Sequence, residues 1–224
     1  GLILIVPRCQ ERQKTQRMGQ VLSGALEGVA VKERIEAAEE LHPLKGERIL
    51  FAVMLGESGI NLEYYGMLKQ IRRNPELFEG CVGAVIVDGL SELYTKSLSR
   101  SLVFAANQAG CAFIGRPLVE GTESLANFNV QAQIGNTNQL GAYFNAARDL
   151  VRRLLEFRPI QKKNPNLLAL HASSHRTSNT LALWEMVKKD LTGCQITEIG
   201  LRNGEVSDCA GCPYTTCMYF GEKG

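Results

Sequence analysis

Ten residues in the last third of the chain combine hydroxyl, amide and guanidinium side chains in a pattern suited to holding a phosphate. The segment 171–180 reads HASSHRTSNT and lies between an apolar stretch, 167–170, and an amphipathic one, 178–191. We predict a strand and a helix for these flanks. The segment would then offer free backbone N–H groups and the positive end of a helix dipole. Arg176 adds a planar cation that matches phosphate. The alternative is a simple helix cap, which needs only one or two such residues.

Three of the seven cysteines fall close together, at Cys209, Cys212 and Cys217. A [4Fe–4S] cluster normally needs four thiolates, and structural zinc needs four closed ligands. If this cluster holds a metal, these three residues are ligands and a fourth group must come from elsewhere. An iron–sulfur cluster, zinc and a redox disulfide stay open as alternatives. The expectation is three reduced thiols without metal.

The order of strand, H-A-S-S-x-R-x-S-N-T and helix resembles the phosphate loop of the NADPH-dependent FMN reductases, whose loop reads roughly G-S-x-R-x-x-S-N-T. Those proteins are flavodoxin-like flavoproteins. The resemblance extends over 166–217, through a second strand ending in Leu-Arg-Asn and a C-x-G-C pattern shared with iron–sulfur flavoproteins. Two departures stand out. The spacing from Arg176 to Ser178 is one residue shorter, and His171 or Ala172 replaces the first glycine.

The resemblance implies an FMN-binding enzyme, an NAD(P)H-dependent oxidoreductase that passes electrons through the flavin to an acceptor. The residues implied to hold the FMN phosphate are Ser173, Arg176, Ser178, Asn179 and Thr180. Flavin and nicotinamide nucleotides would be its partners, and we further expect a homo-oligomer. Because the flavin carries the hydride chemistry, no catalytic acid or nucleophile is expected from the side chains.

The elements that must position these residues follow from the hydrophobic pattern. Continuous apolar runs alternate with stretches of helical spacing. The runs are 2–6, 48–55, 81–87 and 111–114, and the helical stretches are 15–28, 62–73, 91–109 and 141–157. Such strands between helices indicate a parallel sheet covered on both faces. We therefore predict an α/β, flavodoxin-like doubly wound fold.

The pattern stops at a polar segment with two prolines and then restarts, which predicts two domains. Residues 1–158 form the flavodoxin-like domain, 159–166 the linker, and 167–224 an incomplete flavodoxin-like domain of the FMN-reductase type. One strand–helix–strand unit cannot bury both its faces. We therefore expect the natural chain to continue past Gly224.

Two further features of residues 1–158 lie where an α/β sheet binds ligands. A basic loop at 7–17 follows the first strand but lacks glycine, so we expect a degenerate or solvated phosphate loop. Its basic residues are Arg8, Arg12, Lys14 and Arg17. Asp88 ends a strand at the same edge and is predicted to be either a helix cap or a ligand-binding group.

The composition limits the function classes. The chain has 224 residues with 25 Lys+Arg against 23 Asp+Glu, so bulk charge favours neither nucleic acid nor an anionic membrane. The N-terminal residues are typical of a strand rather than a signal peptide, so we expect a cytoplasmic protein with reduced cysteines. Other open functions are a non-catalytic flavodoxin-like interaction or dimerisation module and a cysteine-based metal or redox protein.

Overall fold

The protein is described by a computed structural model that covers residues 1–159, 164–173, 178–202 and 213–221. The chain forms two compact units, unit 1 (Gly1–Arg158) and unit 2 (Pro159–Gly224). Within the described ranges, no helix is both long and apolar enough to cross a membrane.

Unit 1 is built on a five-stranded parallel sheet. Its strands are β1 (Leu2–Ile5), β2 (Val31–Ile35), β3 (Arg48–Met54), β4 (Val82–Asp88) and β5 (Ala112–Gly121). They lie in the order β2-β1-β3-β4-β5. This order is that of a flavodoxin-like doubly wound sheet. The predicted α/β fold class is confirmed.

Five helices cover the two faces of this sheet. They are α1 (Arg12–Ala25), α2 (Leu62–Arg73), α3 (Thr95–Gln108), α4 (Asn129–Ile134) and α5 (Gln139–Glu156). Successive strand residues point to opposite faces. Leu2 and Leu4 therefore join the core under α1 and α5, whereas Ile3 and Ile5 join the core under α2 and α3. Burial on both faces explains why the strands read as continuous apolar runs.

The sequence-based prediction of four strands in this domain was wrong by one strand. Strand β2 reads VKERI, and all but its last residue are exposed or half-buried. It is an edge strand that pairs only with β1. Because one side of the strand faces solvent, its sequence is largely polar. A pattern of continuous apolar runs therefore does not identify it.

Unit 2 contains a parallel pair of strands, β6 (Asn166–His171) and β7 (Gln195–Gly200). Helix α6 (Asn179–Asp190) connects them in sequence, and α7 (Tyr214–Gly221) follows. The pairing continues past the strands, because the Leu201 N–H donates to the His171 carbonyl at 2.7 Å.

Candidate functional site

The N-terminus of α6 in unit 2 carries the described part of the predicted phosphate loop. Ser178 is the N-cap residue, and its Oγ accepts a hydrogen bond from the Leu181 N–H at 3.3 Å. The Ser178 carbonyl accepts the first helical bond, from Ala182. The Ser178 hydroxyl therefore caps the helix. The helix-cap alternative for this segment needs no more than this one residue.

The Ser178 cap does not bond every backbone N–H group in the first turn of α6. Asn179 and Thr180 occupy the first turn of α6, and neither backbone N–H finds an acceptor among the described residues. Helix N-termini present such groups together with a partial positive charge. No Asp or Glu occurs between residues 166 and 184, so no nearby side chain in sequence opposes an anion.

His171 at the end of β6 adds an unsatisfied polar atom to this region. Its Nε2 lies 3.4 Å from Oε1 of Glu198 on β7. Its Nδ1 is buried and has no hydrogen-bond partner in the described part of the chain. Buried polar atoms are nearly always paired, so this nitrogen is an exception among the described atoms.

Glu198 links this histidine to the helix. Its Oε2 accepts hydrogen bonds from Trp184 Nε1 at 2.8 Å and Lys188 Nζ at 3.0 Å. These two bonds, the Trp184 bond first, lower the pKa of the Glu198 carboxyl. These contacts link α6 to β7 through the Glu198 carboxylate.

Several predicted site residues cannot be placed. Arg176, Cys209 and Cys212 lie outside the described residues, whereas Ser173 follows β6 directly and Cys217 is an exposed residue of α7. In the described ranges, no group of three or more His, Cys, Asp or Glu side chains is arranged to hold a metal ion.

Unit 1 has a cleft of about 730 Å³ at the carboxyl ends of its strands. It lies between the loops that follow β1 and β3, and residues from the end of β2 complete it. In a sheet of this strand order, the boundary between β1 and β3 is the topological switch point, where α/β proteins bind ligands. The fold therefore places a ligand-sized cleft at the expected position.

Part of the backbone donor capacity of the loop after β1 is used within unit 1. The N–H groups of Val6 and Arg8 donate to carbonyls of Ile35 and Glu36, and Pro7 has no N–H. The N-cap of α1 is Glu11, whose side chain makes no cap hydrogen bond. A phosphate cradle needs converging free N–H groups, and two of those in this loop bond to the end of β2 instead.

The charged side chains of the cleft are mostly acidic. Those that line it are Arg8, Arg34, Glu11, Glu36, Glu57 and Glu63. Arg8 pairs with Glu40 at 3.3 Å, and Arg34 pairs with Glu36 at 2.6 Å. Among the described side chains, Glu11 and Glu57 have no cationic partner. As far as its described side chains show, the cleft presents two carboxylates without a paired cation, and these would repel an anion.

A buried ionic cluster, here called the carboxyl-edge cluster, lies beyond the cleft at the end of β4. It consists of Lys14, Arg17, Asp88 and Tyr143. The Asp88 side chain is 0% exposed, and those of Lys14 and Arg17 are 6% and 17% exposed. Lys14 Nζ lies 3.2 Å from Asp88 Oδ1. The cluster places two cations of α1 on one internal carboxylate.

Arg17 is held by four hydrogen bonds. It donates from Nε to Asp88 Oδ2 at 2.7 Å and from Nη2 to Asp88 Oδ1 at 2.5 Å. Its other two bonds go to the carbonyls of Thr122 and Glu123 beyond β5, at 2.8 and 3.1 Å. A bidentate arginine–carboxylate pair of this kind leaves little donor capacity for a ligand.

Tyr143 closes the cluster from α5. Its hydroxyl donates to Asp88 Oδ2 at 3.3 Å, and burial together with the Asp88 charge raises its pKa well above the usual value. The ring fits because residue 121 is glycine: a Cβ there would lie 2.8 Å from Cε1 of Tyr143. Burial also lowers the pKa of Lys14, against the opposing effect of Asp88.

These contacts correct two predictions. The basic loop was expected to be a degenerate phosphate loop or a solvated one, and the solvated alternative is wrong for Lys14 and Arg17, which lie inside and pair with Asp88. Asp88 was expected to cap a helix or bind a ligand, and instead it is the internal counter-charge for α1. No local pattern could signal this arrangement, because Arg17 and Asp88 are 71 residues apart.

Comparison with known proteins gives structural likeness only. No protein-family model matches the chain, and no curated protein sequence matches it. Among solved structures, oxidised Flavodoxin 2 from Bacillus cereus has a TM-score of 0.46 and 14% identity, covering 68% of this chain and 99% of its own. A short-chain flavodoxin associated with a bacterial microcompartment has a TM-score of 0.45 and 12% identity, covering 68% and 97%. A flavodoxin from the domain Archaea has a TM-score of 0.42 and 12% identity, covering 69% and 100%.

Proposed function

We propose that the protein is an FMN-binding flavoprotein that passes electrons from a reduced nicotinamide nucleotide through the flavin to an acceptor. The observation that carries the proposal is the N-terminus of α6, where Ser178 caps the helix and the N–H groups of Asn179 and Thr180 have no acceptor among the residues that the structure describes. A phosphate monoester is a suitable acceptor for this arrangement, since it brings several oxygens and a full negative charge.

The residues of unit 2 fit this group on three counts. The N–H groups of Asn179 and Thr180 have no acceptor among the described residues, no Asp or Glu occurs between residues 166 and 184, and the buried Nδ1 of His171 lacks a partner among the described atoms. Ser173, Ser178, Asn179 and Thr180 would surround the phosphate, together with Arg176 from the sequence between them. Bound FMN would supply the capacity to accept a hydride and release electrons.

The chain's own part in such a function is binding and orientation. The Glu198 contacts with Trp184 and Lys188 tie α6 to β7, the strand that pairs with β6. Preorganised donors cost little rearrangement when an anion binds. We assign no proton-transfer step to a side chain of this site.

A binding titration with the full chain tests the proposal. FMN fluorescence is quenched when the ring enters a protein site, so adding chain to FMN should give a saturable decrease. We expect saturation with FMN and much weaker binding of riboflavin, which has the same ring without the phosphate. Absence of both binding and a flavin absorbance band in the purified protein would refute the flavoprotein proposal.

The reductase part needs its own experiment. Under anaerobic conditions, NADPH or NADH added to the FMN-loaded chain should bleach the flavin absorbance band. An FMN-loaded chain that dithionite bleaches but neither nicotinamide nucleotide does would limit the proposal to a flavin-binding electron carrier.

A further inference from the structure

We infer that the flavodoxin-like cleft of unit 1 does not bind flavin phosphate, because Asp88 of the chain itself supplies the anion that the cations of this edge would otherwise take from a ligand. The inference about unit 1 stands independently. Its corollary, that a chain binds one FMN and binds it through unit 2, rests on the proposed function.

The cations at the start of α1 are already paired within the protein. Of the basic residues at the start of α1, Lys14 and Arg17 both lie on Asp88, at 3.2 and 2.5 Å. Arg17 makes two further bonds to backbone carbonyls, of Thr122 and Glu123. Releasing either cation to a ligand would leave the fully buried Asp88 without part of its compensation, which is strongly unfavourable.

Some of the hydrogen-bond donors in the loop after β1 are also bonded within the protein. In the loop from Val6 to Glu11, the N–H groups of Val6 and Arg8 extend the pairing with β2, and Pro7 contributes none. The Thr15 hydroxyl, on the first turns of α1, donates to the Glu11 carbonyl at 3.0 Å. Two N–H groups of this loop and the Thr15 hydroxyl are therefore already bonded to the protein.

Carboxylates that line the cleft would repel an anionic ligand. Glu11 stands at the N-cap of α1, which is where a phosphate would have to sit to use the helix dipole. Glu57 lines the facing side of the cleft, and neither carboxylate has a cationic partner among the described side chains. An incoming phosphate would add its negative charge next to these two, in a partly enclosed space.

The two strand-to-helix junctions of the protein differ in the residue that caps the helix and in the charge around it. At the β6–α6 junction the cap is Ser178 and no Asp or Glu occurs between residues 166 and 184, whereas at the β1–α1 junction the cap is Glu11 and the nearby cations Lys14 and Arg17 are paired with Asp88. Unit 1 therefore keeps the switch-point cleft of this fold but lacks, among its described side chains, free cations that would bind a phosphate there.

Matched charge reversals test the inference in the full chain. Arg8→Glu changes an exposed arginine of the unit 1 cleft, and Arg176→Glu changes the arginine of the unit 2 loop. FMN affinity and stoichiometry would be measured by fluorescence quenching, with circular dichroism melting to verify that each variant is folded. We expect one FMN per chain, at least ~10-fold weaker binding in Arg176→Glu, the size of a lost charge-assisted hydrogen bond, and no change beyond about twofold in Arg8→Glu, since its guanidinium already pairs with Glu40.

The outcomes separate the inference from the proposed function. Two FMN per chain, or binding that Arg8→Glu abolishes and Arg176→Glu leaves intact, would overturn the inference while keeping a flavoprotein. No FMN bound by the wild-type chain would refute the proposed function, and it is the result expected of unit 1. One FMN that is sensitive to Arg176→Glu alone supports both.

Discussion

Arg17 on α1 donates hydrogen bonds to both carboxylate oxygens of Asp88 at the end of β4, at 2.7 and 2.5 Å. The pair joins the first helix of unit 1 to a central strand 71 residues later in the chain. Because Asp88 is fully buried, solvent and salt screen this interaction little. The same contact therefore bears on both stability and ligand choice.

Replacing Asp88 with Asn should destabilise unit 1 strongly. The variant keeps the side-chain shape but leaves Lys14 and Arg17 as neighbouring buried cations without a counter-charge. Removing one partner of a buried ion pair costs about 3–5 kcal/mol in the free energy of unfolding. Urea unfolding at neutral pH would measure it.

A suitable control is Glu79→Gln, which removes an exposed ion pair to Lys45 at 2.7 Å. Exposed pairs contribute little, so this variant should unfold like the wild type. If Asp88→Asn loses no more stability than Glu79→Gln, the carboxyl-edge cluster does not have the role given to it here.

The lowered pKa of Lys14 predicts how its contribution to the free energy of unfolding changes with pH. Burial lowers its pKa from the usual 10.5, so in alkaline solution the folded chain releases this proton before the unfolded chain does. Between the two pKa values the unfolded state binds more protons, and stability rises with pH through this group. The effect of Lys14→Met relative to wild type should therefore be more destabilising at pH 10 than at pH 7.5.

The measurement is the difference in unfolding free energy between the two proteins at each pH. Other alkaline groups, such as the tyrosines, titrate in both proteins and cancel in the difference. An effect of Lys14→Met that is equal at both pH values would contradict the lowered pKa.

Gly59 should not tolerate a side chain. Its φ is +74°, a conformation that costs an L-residue about 1–2 kcal/mol. A Cβ there would also lie 2.5 Å from Cγ of Tyr94. We expect Gly59→Ala to lower the free energy of unfolding by roughly 2 kcal/mol or more.

A double-mutant cycle with Tyr94→Ala separates the two causes. Tyr94 is half exposed, so its removal costs little burial. The double variant should recover the steric part of the loss and retain the backbone part, giving a coupling of about 1 kcal/mol. Strict additivity would mean that the clash is absent and only the backbone conformation matters.

Much of unit 1 could be predicted from the sequence because its central strands are buried on both faces. Strands β1, β3 and β4 appear as continuous apolar runs, and their length and flanking helices identify a doubly wound sheet. The cysteines at the edges of two strands, Cys81 and Cys111, are buried. Local pattern sufficed wherever burial was set by the sheet itself.

The candidate site was harder to predict where long-range charge decides it. Lys14 and Arg17 are typical of an anion-binding loop when taken alone, and only the position of Asp88 shows that they are neutralised. The α6 junction depends on neighbours in sequence, so Ser178 as a cap and Asn179 in the first turn were within reach. Contacts across 71 residues are set by topology, which a residue pattern does not encode.

The cysteines should react with alkylating reagents according to their burial. Cys81 and Cys111 are buried, and burial raises the pKa of both thiols, so little reactive thiolate forms near neutral pH. Cys217 is exposed on α7. Brief treatment of the native chain with N-ethylmaleimide at pH 7.5 should label Cys217 and spare the two buried residues.

Peptide mapping by mass spectrometry would report each site, with a urea-unfolded sample as the control in which Cys81 and Cys111 also react. Early labelling of Cys111 in the native chain would mean that α3 and β5 separate on the time scale of the reaction, contrary to the packing of this core.

Substitutions at Ser178 can separate the helix cap from the phosphate site. Ser178→Ala removes the acceptor for the Leu181 N–H and should cost α6 about 1 kcal/mol. Ser178→Asp keeps a good cap, because aspartate caps as well as serine, but it places a negative charge at the helix N-terminus. We therefore expect Ser178→Asp to preserve α6, as measured by hydrogen exchange, and to weaken FMN binding at least ~10-fold, since the phosphate would face a like charge.

The matched control is Asn138→Asp, which changes the N-cap of α5 in unit 1, where the Asn138 side chain accepts from the Gly141 N–H at 2.7 Å. The same chemical change there should leave FMN affinity as in the wild type, because no flavin phosphate is assigned to that helix. If Ser178→Asp binds FMN as tightly as the wild-type chain, the phosphate does not lie at the N-terminus of α6. Equal losses in both variants would indicate a non-specific charge effect, which also counts against the assignment.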